Sequence, residues 1–304
     1  ARAGSWKRGP GRERLPEPED RNTSRPEETR AEQKGRATRS VMGKLDGKVA
    51  VITGAAMGNG EGMARVLAQH GAQVMLWDIS ERVQQTSSSI EADGFKVRPF
   101  FVDVTKFEQC RAAAEEIIAE LGRIDILCAN AGVIRLGRFL EMSDEVRDFH
   151  FKVNVIGVWN STKAILPNMI KNSYGKIVIM SSVTGPMVAD EGEVAYATTK
   201  AALWGFTKSL AREVAGDGIT VNAICPGYIL TPMAEQIAKD SDPDNPAAVI
   251  EGIKRGVPMG RLGDICEVGE LAAFLASDES SYISGTQVVI DGGSTLPETV
   301  SVGL

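Results

Sequence analysis

From Lys48 onward, short runs rich in Val, Ile and Leu alternate with segments of helix length, and that rhythm leaves few folds open. The runs cover 48–53, 73–78, 97–102, 124–129, 176–181, 219–224 and 286–290. The helix-length segments between them cover 60–70, 80–93, 107–121, 144–171, 195–215 and 265–276. Apolar runs this short read as strands buried on both faces. Strands separated by helices form right-handed βαβ units. The expectation is a single α/β domain, doubly wound, with a central seven-stranded parallel sheet flanked by helices. Ligands of such sheets bind at the carboxyl ends of the strands, near the point where strand order reverses. Thr231 to Arg261 breaks the rhythm with several prolines and weak periodicity, and reads as a lid or binding loop.

The first strand runs into Thr53-Gly54-Ala-Ala-Met57-Gly58-Asn59-Gly60 and then a helix. Glycines there let the backbone approach a pyrophosphate, and a helix N-terminus offers free N–H groups with partial positive charge. The spacing is G-x-x-x-G-x-G, which gains meaning from its place between strand and helix. The second strand ends at Asp78-Ile79, where an acid can accept hydrogen bonds from an adenosine ribose and repel an added phosphate. Met57 and Asn59 carry no charge, and Arg82 is read as solvated a turn into the next helix. The cofactor expected is therefore NAD rather than NADP. Asp103-Val104 and Asn130-Ala-Gly132 end the third and fourth strands, where the adenine and the central cofactor would lie.

Tyr196 and Lys200 stand four apart on a predicted helix and so share one face. A free tyrosine is a poor base near neutrality, and a neighbouring ammonium lowers its pKa. Ser182 lies fourteen residues earlier at a strand end, and Asn154 falls within the long segment 144–171. Taken alone, each of these has an ordinary explanation; their order along the chain does not.

In that order the chain from Met42 to Leu304 resembles the short-chain dehydrogenases/reductases. The motifs are Thr53-Gly54-x-x-x-Gly58-x-Gly60, Asp103, Asn130-Ala-Gly132, Asn154, Ser182, Tyr196-x-x-x-Lys200 and Pro226-Gly227-x-x-x-Thr231. The resemblance implies a Rossmann-type fold and an NAD-dependent oxidoreductase acting on CH–OH groups, interconverting an alcohol and a carbonyl. It implies Tyr196 as general acid/base, with Lys200 lowering its pKa and binding the nicotinamide ribose. Ser182 would bond the substrate oxygen, and Asn154 would hold a water on the proton path. Pro226, Gly227, Ile229 and Thr231 would line the nicotinamide end, with no metal required. A homotetramer built on the long helices is implied as well. Two departures stand out: Ala129 replaces a usual asparagine, and the Ser182–Tyr196 spacing is one residue longer than usual. The alternatives are an NADP-dependent carbonyl reductase and a nucleotide sensor without turnover; intact Tyr196, Lys200, Ser182 and Asn154 weigh against the sensor.

By the same analogy the substrate pocket lies among loops 133–140 and 183–195 and the lid 231–260, lined by Ile134, Leu136, Met187, Val188, Tyr228 and Met233. Arg135, Arg138, Asp190, Glu191 and Glu193 read as solvated loop charges, and His70 and His150 as packing or capping residues.

Residues 1–41 read as a disordered leader, non-native or read-through, ahead of a natural start at Met42 and a catalytic domain over 42–304, for they hold almost no large apolar side chains. They carry 11 Lys and Arg against 7 Asp and Glu, out of 34 and 40 in all, so 23 and 33 remain for the rest. An acidic body argues against nucleic acid as a partner. Cys110, Cys128, Cys225 and Cys266 have no metal-ligand spacing and suggest a reducing cytoplasm without disulfides. No apolar stretch has membrane-spanning length, so the chain is expected to be soluble; the partner that the resemblance implies is a small alcohol or carbonyl compound.

Overall fold

The computed structural model describes residues 43–296; the segment 1–41 read as a leader, the boundary at Met42 and the last eight residues lie outside the described residues. Seven parallel strands form one sheet in the order β3-β2-β1-β4-β5-β6-β7. They are β1 Val49–Thr53, β2 Gln73–Asp78, β3 Val97–Phe101, β4 Ile126–Ala129, β5 Gly175–Met180, β6 Ile219–Pro226 and β7 Gln287–Ile290. Every expected strand is present, displaced by at most two residues at its ends. Chain order runs outward from β1 to β3, then restarts at β4 on the other side of β1. The switch point therefore falls between β1 and β4.

Alternation within the strands feeds two apolar layers. Ala50, Ile52, Val74, Leu76, Ile126 and Cys128 pack on one face. Val51, Met75, Trp77, Leu127 and Ala129 pack on the other. The first layer is closed by α1 (Gly58–Gln69) and α9 (Ile265–Ala276), through Met63, Leu67, Val268 and Ala272. The second is closed by α3 (Phe107–Leu121), α5 (Gly157–Lys171) and α6 (Val194–Val214), through Ile117, Ile165, Met169 and Leu203. With both faces covered, β1, β5 and β6 are buried along their whole length.

Three stretches differ from expectation. Arg82 is the first residue of α2 (Arg82–Ala92) rather than a turn inside it, and it is exposed as expected. The segment 144–171 is not one α-helix: α4 (Asp144–Phe151) passes into a π turn over Lys152–Ile156 before α5 begins. The Gly157 N–H donates to the Lys152 carbonyl, five residues back. The lid contains two helices, α7 (Pro232–Ser241) and α8 (Pro246–Gly256). Pro232 and Pro246 start these helices instead of breaking them, because a first-turn residue needs no N–H partner. Thr231 and Asn245 cap them, each side chain accepting a backbone N–H at 3.2 Å.

Candidate active site

β1 and β4 end side by side, and their first loop residues are bonded across the switch point. The Thr53 hydroxyl accepts from the Asn130 and Ala131 N–H groups at 3.0 Å each. Asn130 Nδ2 donates back to the carbonyls of Thr53 and Gly54 at 2.9 and 3.1 Å. Asn130 thus spends both amide hydrogens and its backbone N–H on holding the glycine loop, and only its carbonyl oxygens remain for a ligand. Gly54 has φ +65°, and a Cβ on Gly60 would stand 2.0 Å from the Gly54 carbonyl oxygen, so neither position accepts a side chain.

Asp78, at the end of β2, reaches the same loop. Its carboxylate accepts from Ala56 N–H at 2.9 Å and from Ser80 N–H at 2.8 Å, and it is half-buried. Beside it Ile79 is 60% exposed, an apolar surface with no protein neighbour to cover it. Asp103 is half-buried and accepts from Thr105 N–H, whereas Val104 is buried in the core, its Cγ2 beside Gly157. The pair read as one cofactor edge therefore divides: the strand end turns Asp103 outward and Val104 inward. Thr231 lies against Gly58, which brings the start of the lid onto the glycine loop. Ile229 is buried, bridged to Gly263, while Pro226 and Gly227 are tied by backbone bonds to Val183 and Ile290.

The residues present fit a dinucleotide. The glycine loop is packed so closely on itself and on Ala131 that Gly54 and Gly60 have no room for a Cβ, the close backbone packing that a pyrophosphate-binding turn needs. Asn59 Oδ1 is buried there without a hydrogen-bond partner, a polar atom left for a ligand to satisfy.

Tyr196, Lys200 and Ser182 meet at the carboxyl end of β5. Tyr196 is in the first turn of α6, half-buried, and Lys200 is one turn further on and 4% exposed. The Lys200 Nζ lies 5.5 Å from the Tyr196 ring centroid and donates to the Met180 carbonyl at 2.8 Å. Ser182 follows β5, is buried, and its Oγ accepts from Thr184 N–H at 3.1 Å. A Cβ on Gly132 would be 3.5 Å from both Lys200 Nζ and Asn154 Oδ1, so the missing side chain leaves the approach to the ammonium open.

Burial dominates the electrostatics. It pushes the Tyr196 hydroxyl up to about 12, against a downward pull from the Ser182 hydrogen bond. Burial also pushes the Lys200 ammonium down to about 8, opposed by the nearby Cys225 thiol. Desolvation is the largest influence on Tyr196, which stands protonated as a donor.

Asn154 sits in the π turn, fully buried. Its Oδ1 accepts from Val133 N–H at 2.8 Å, and its Nδ2 donates to the Val133 carbonyl and to Thr199 Oγ1, both at 3.0 Å. Both amide hydrogens are taken by protein, so the side chain braces the loop after β4 against α6.

Glu193, expected to be a solvated charge, is instead half-buried at the head of α6; burial and the charge of Asp190 raise its carboxyl. Asp190 accepts from the Tyr228 hydroxyl at 3.2 Å, joining loop 183–193 to the segment after β6. Leu136, Met187, Val188, Tyr228 and Met233 are each about two-fifths exposed around this site, in keeping with an apolar pocket wall. His150, read as packing, bonds the backbone of the same wall. No pattern in the sequence signals its partner, which is fifteen residues away in a loop.

Residues 54–295 match the family described as Enoyl-(Acyl carrier protein) reductase. The chain is 59% identical over 263 residues to oxidoreductase UcpA of Salmonella typhimurium, covering 86% of this chain and all of that protein. It is 41% identical over 252 residues to the 3-oxoacyl-[acyl-carrier-protein] reductase FabG of Thermotoga maritima, covering 82% of this chain and 98% of that one. A crystal structure of a short-chain type dehydrogenase/reductase from Mycobacterium marinum superposes with a TM-score of 0.77 at 36% identity, over 83% of this chain and 97% of the other.

Proposed function

Because the chain belongs to the short-chain dehydrogenase/reductase family and is an oxidoreductase, we propose that it interconverts a small alcohol and its carbonyl using NAD in preference to NADP. The observation that carries this reading is the convergence of Tyr196, Ser182 and Lys200 beside the open position at Gly132. A nicotinamide cofactor held by the glycine loop would supply or accept the hydride. Gly54, Met57, Gly58, Asn59 and Gly60 would hold its pyrophosphate, with Asp78 and Ile79 at the adenosine ribose and Asp103 near the adenine. Gly132 and Lys200 would border the nicotinamide ribose, and Thr231 the carboxamide.

The protonated Tyr196 hydroxyl gives its proton to the carbonyl oxygen in reduction and takes it back, as phenolate, in oxidation. Ser182 donates to the same oxygen and stabilises the negative charge that develops on it. Lys200, held by the Met180 carbonyl, supplies a positive charge beside the phenolate. Asn154 keeps α6 and the loop after β4 in register, so that these groups stay aligned.

The preference for NAD is supported by the Asp78 carboxylate and by uncharged Met57 and Asn59. The half-buried Glu193 and the Asp190–Tyr228 pair favour a neutral substrate with an apolar body. A second reading, reduction of an acyl-carrier thioester, is favoured by the family description and the 3-oxoacyl relative but meets this acidic rim. NADH and NADPH oxidation measured against aldehydes, ketones, diketones and a 3-oxoacyl thioester decides between them. Turnover of the thioester alone, or with NADPH alone, would overturn the first reading.

A homotetramer through α5 and α6 is supported by the exposed Ile156 and Trp159 and by the tilted Trp159–Phe206 pair, 5.5 Å between ring centroids. Light scattering at micromolar concentration tests it. A cytoplasmic setting is supported by four free cysteines; among the described residues no helix is long and apolar enough to cross a membrane.

A further inference from the structure

His150 is fully buried near the end of α4. Both ring nitrogens are bonded to backbone. Nδ1 lies 2.8 Å from the Val146 carbonyl, which can only accept, so Nδ1 carries the proton. Nε2 lies 2.9 Å from the Arg135 N–H, which can only donate, so Nε2 accepts. The partners thus define a neutral ring of one tautomer. The bond to Val146 runs back one helical turn and fixes the ring's direction; the bond to Arg135 leaves the helix and grips the loop after β4.

Four residues on, Asn154 grips Val133 in the same loop, by both its N–H and its carbonyl. The two side chains hold alternate residues and divide the loop between them. Asn154 serves the end beside Lys200 and Gly132. His150 serves the end that carries Ile134 and the partly exposed Leu136. Just beyond, the Gly137 N–H donates to the Gly192 carbonyl at 3.0 Å, which joins this wall to the loop bearing Asp190 and Glu193.

We propose that His150 is a positioning residue for substrate binding: through Arg135 it sets the 134–137 wall of the pocket, apart from cofactor binding and proton transfer. The proposal rests on reading this site as an alcohol/carbonyl pocket.

Two substitutions separate the ring's two bonds. His150→Asn keeps a donor near the Nδ1 position for Val146 but has no acceptor within reach of Arg135. His150→Gln places an acceptor near the Nε2 position. KM and kcat are measured for the best carbonyl substrate with NADH. NADH affinity is read by fluorescence titration, and amide exchange is followed over 133–137. In His150→Asn, KM rises about tenfold, in line with a lost buried hydrogen bond; kcat and NADH affinity stay within about twofold, and exchange over 133–137 quickens. His150→Gln recovers most of the change in KM and in exchange. Equal losses in kcat, KM and NADH affinity, or unchanged exchange over 133–137, would overturn the proposal. If the wild-type protein turns over no carbonyl, the alcohol/carbonyl reading itself fails, and the latch then stands or falls on the exchange comparison of the two variants.

Discussion

The Lys200 ammonium donates to the Met180 carbonyl at 2.8 Å while only 4% of the residue is exposed. Its proton is held less tightly in the native protein, at about 8, than in the unfolded chain, where a lysine has its ordinary value of 10.5. Between those values the unfolded chain binds more protons, so stability rises with pH across that window. Urea unfolding midpoints measured from pH 7 to pH 9 should rise for the wild type relative to Lys200→Met. A climb of the same size in the variant would mean that another group is responsible.

Tyr196 sits on the opposite side of that balance. With its hydroxyl pushed up to about 12, it is a ready donor and a scarce base. The kcat/KM for carbonyl reduction should hold steady to about pH 8 and fall above it, where Lys200 loses its proton. The kcat/KM for alcohol oxidation should instead climb with pH from neutrality, as the phenolate fraction grows. Tyr196→Phe should lower turnover by about 10²–10⁴-fold while NADH still binds. Turnover within tenfold of wild type would remove Tyr196 from its role.

Asp78 ties the end of β2 to the glycine loop through the Ala56 N–H at 2.9 Å. Asp78→Ala removes the charge that would repel an added ribose phosphate. The ratio of NADH to NADPH kcat/KM should fall about tenfold or more, the scale of one charge-assisted contact. An unchanged ratio would show that discrimination lies elsewhere in the site.

Gly60 faces the Gly54 carbonyl so closely that a Cβ would stand 2.0 Å from it. Gly60→Ala should destabilise the fold by about 1–3 kcal/mol, as overpacking does, and weaken NADH binding. Denaturant midpoints and fluorescence titration read the two effects separately. A fully stable variant with wild-type NADH affinity would show that the loop can relax at no cost.

The strands were legible because a parallel sheet covered on both faces needs uninterrupted apolar runs, and few other structures do. Tyr196 and Lys200 were legible because helical spacing puts them on one face whatever lies around them. The lid helices were missed because Pro232 and Pro246 count as breakers in a sequence window, yet each occupies a first turn where its missing N–H costs nothing. The π turn at Lys152–Ile156 was missed because the apolar rhythm passes through it almost unchanged. Glu193 was misread as solvated because nothing in its neighbours along the chain reports the burial that raises it.

The sequence by itself determined the sheet, the glycine turn and the identity of the chemical groups, since periodicity and backbone restrictions act over a few residues. Only the tertiary structure decided what those groups do to one another. Asn130 turned out to be a brace for the glycine loop, Asn154 a clamp on Val133, and His150 a latch on Arg135. Tyr196 became a held proton because desolvation depends on everything packed around it. Such partners are set by chain segments that meet only when the sheet closes, and burial belongs to the whole packed domain rather than to any stretch of it.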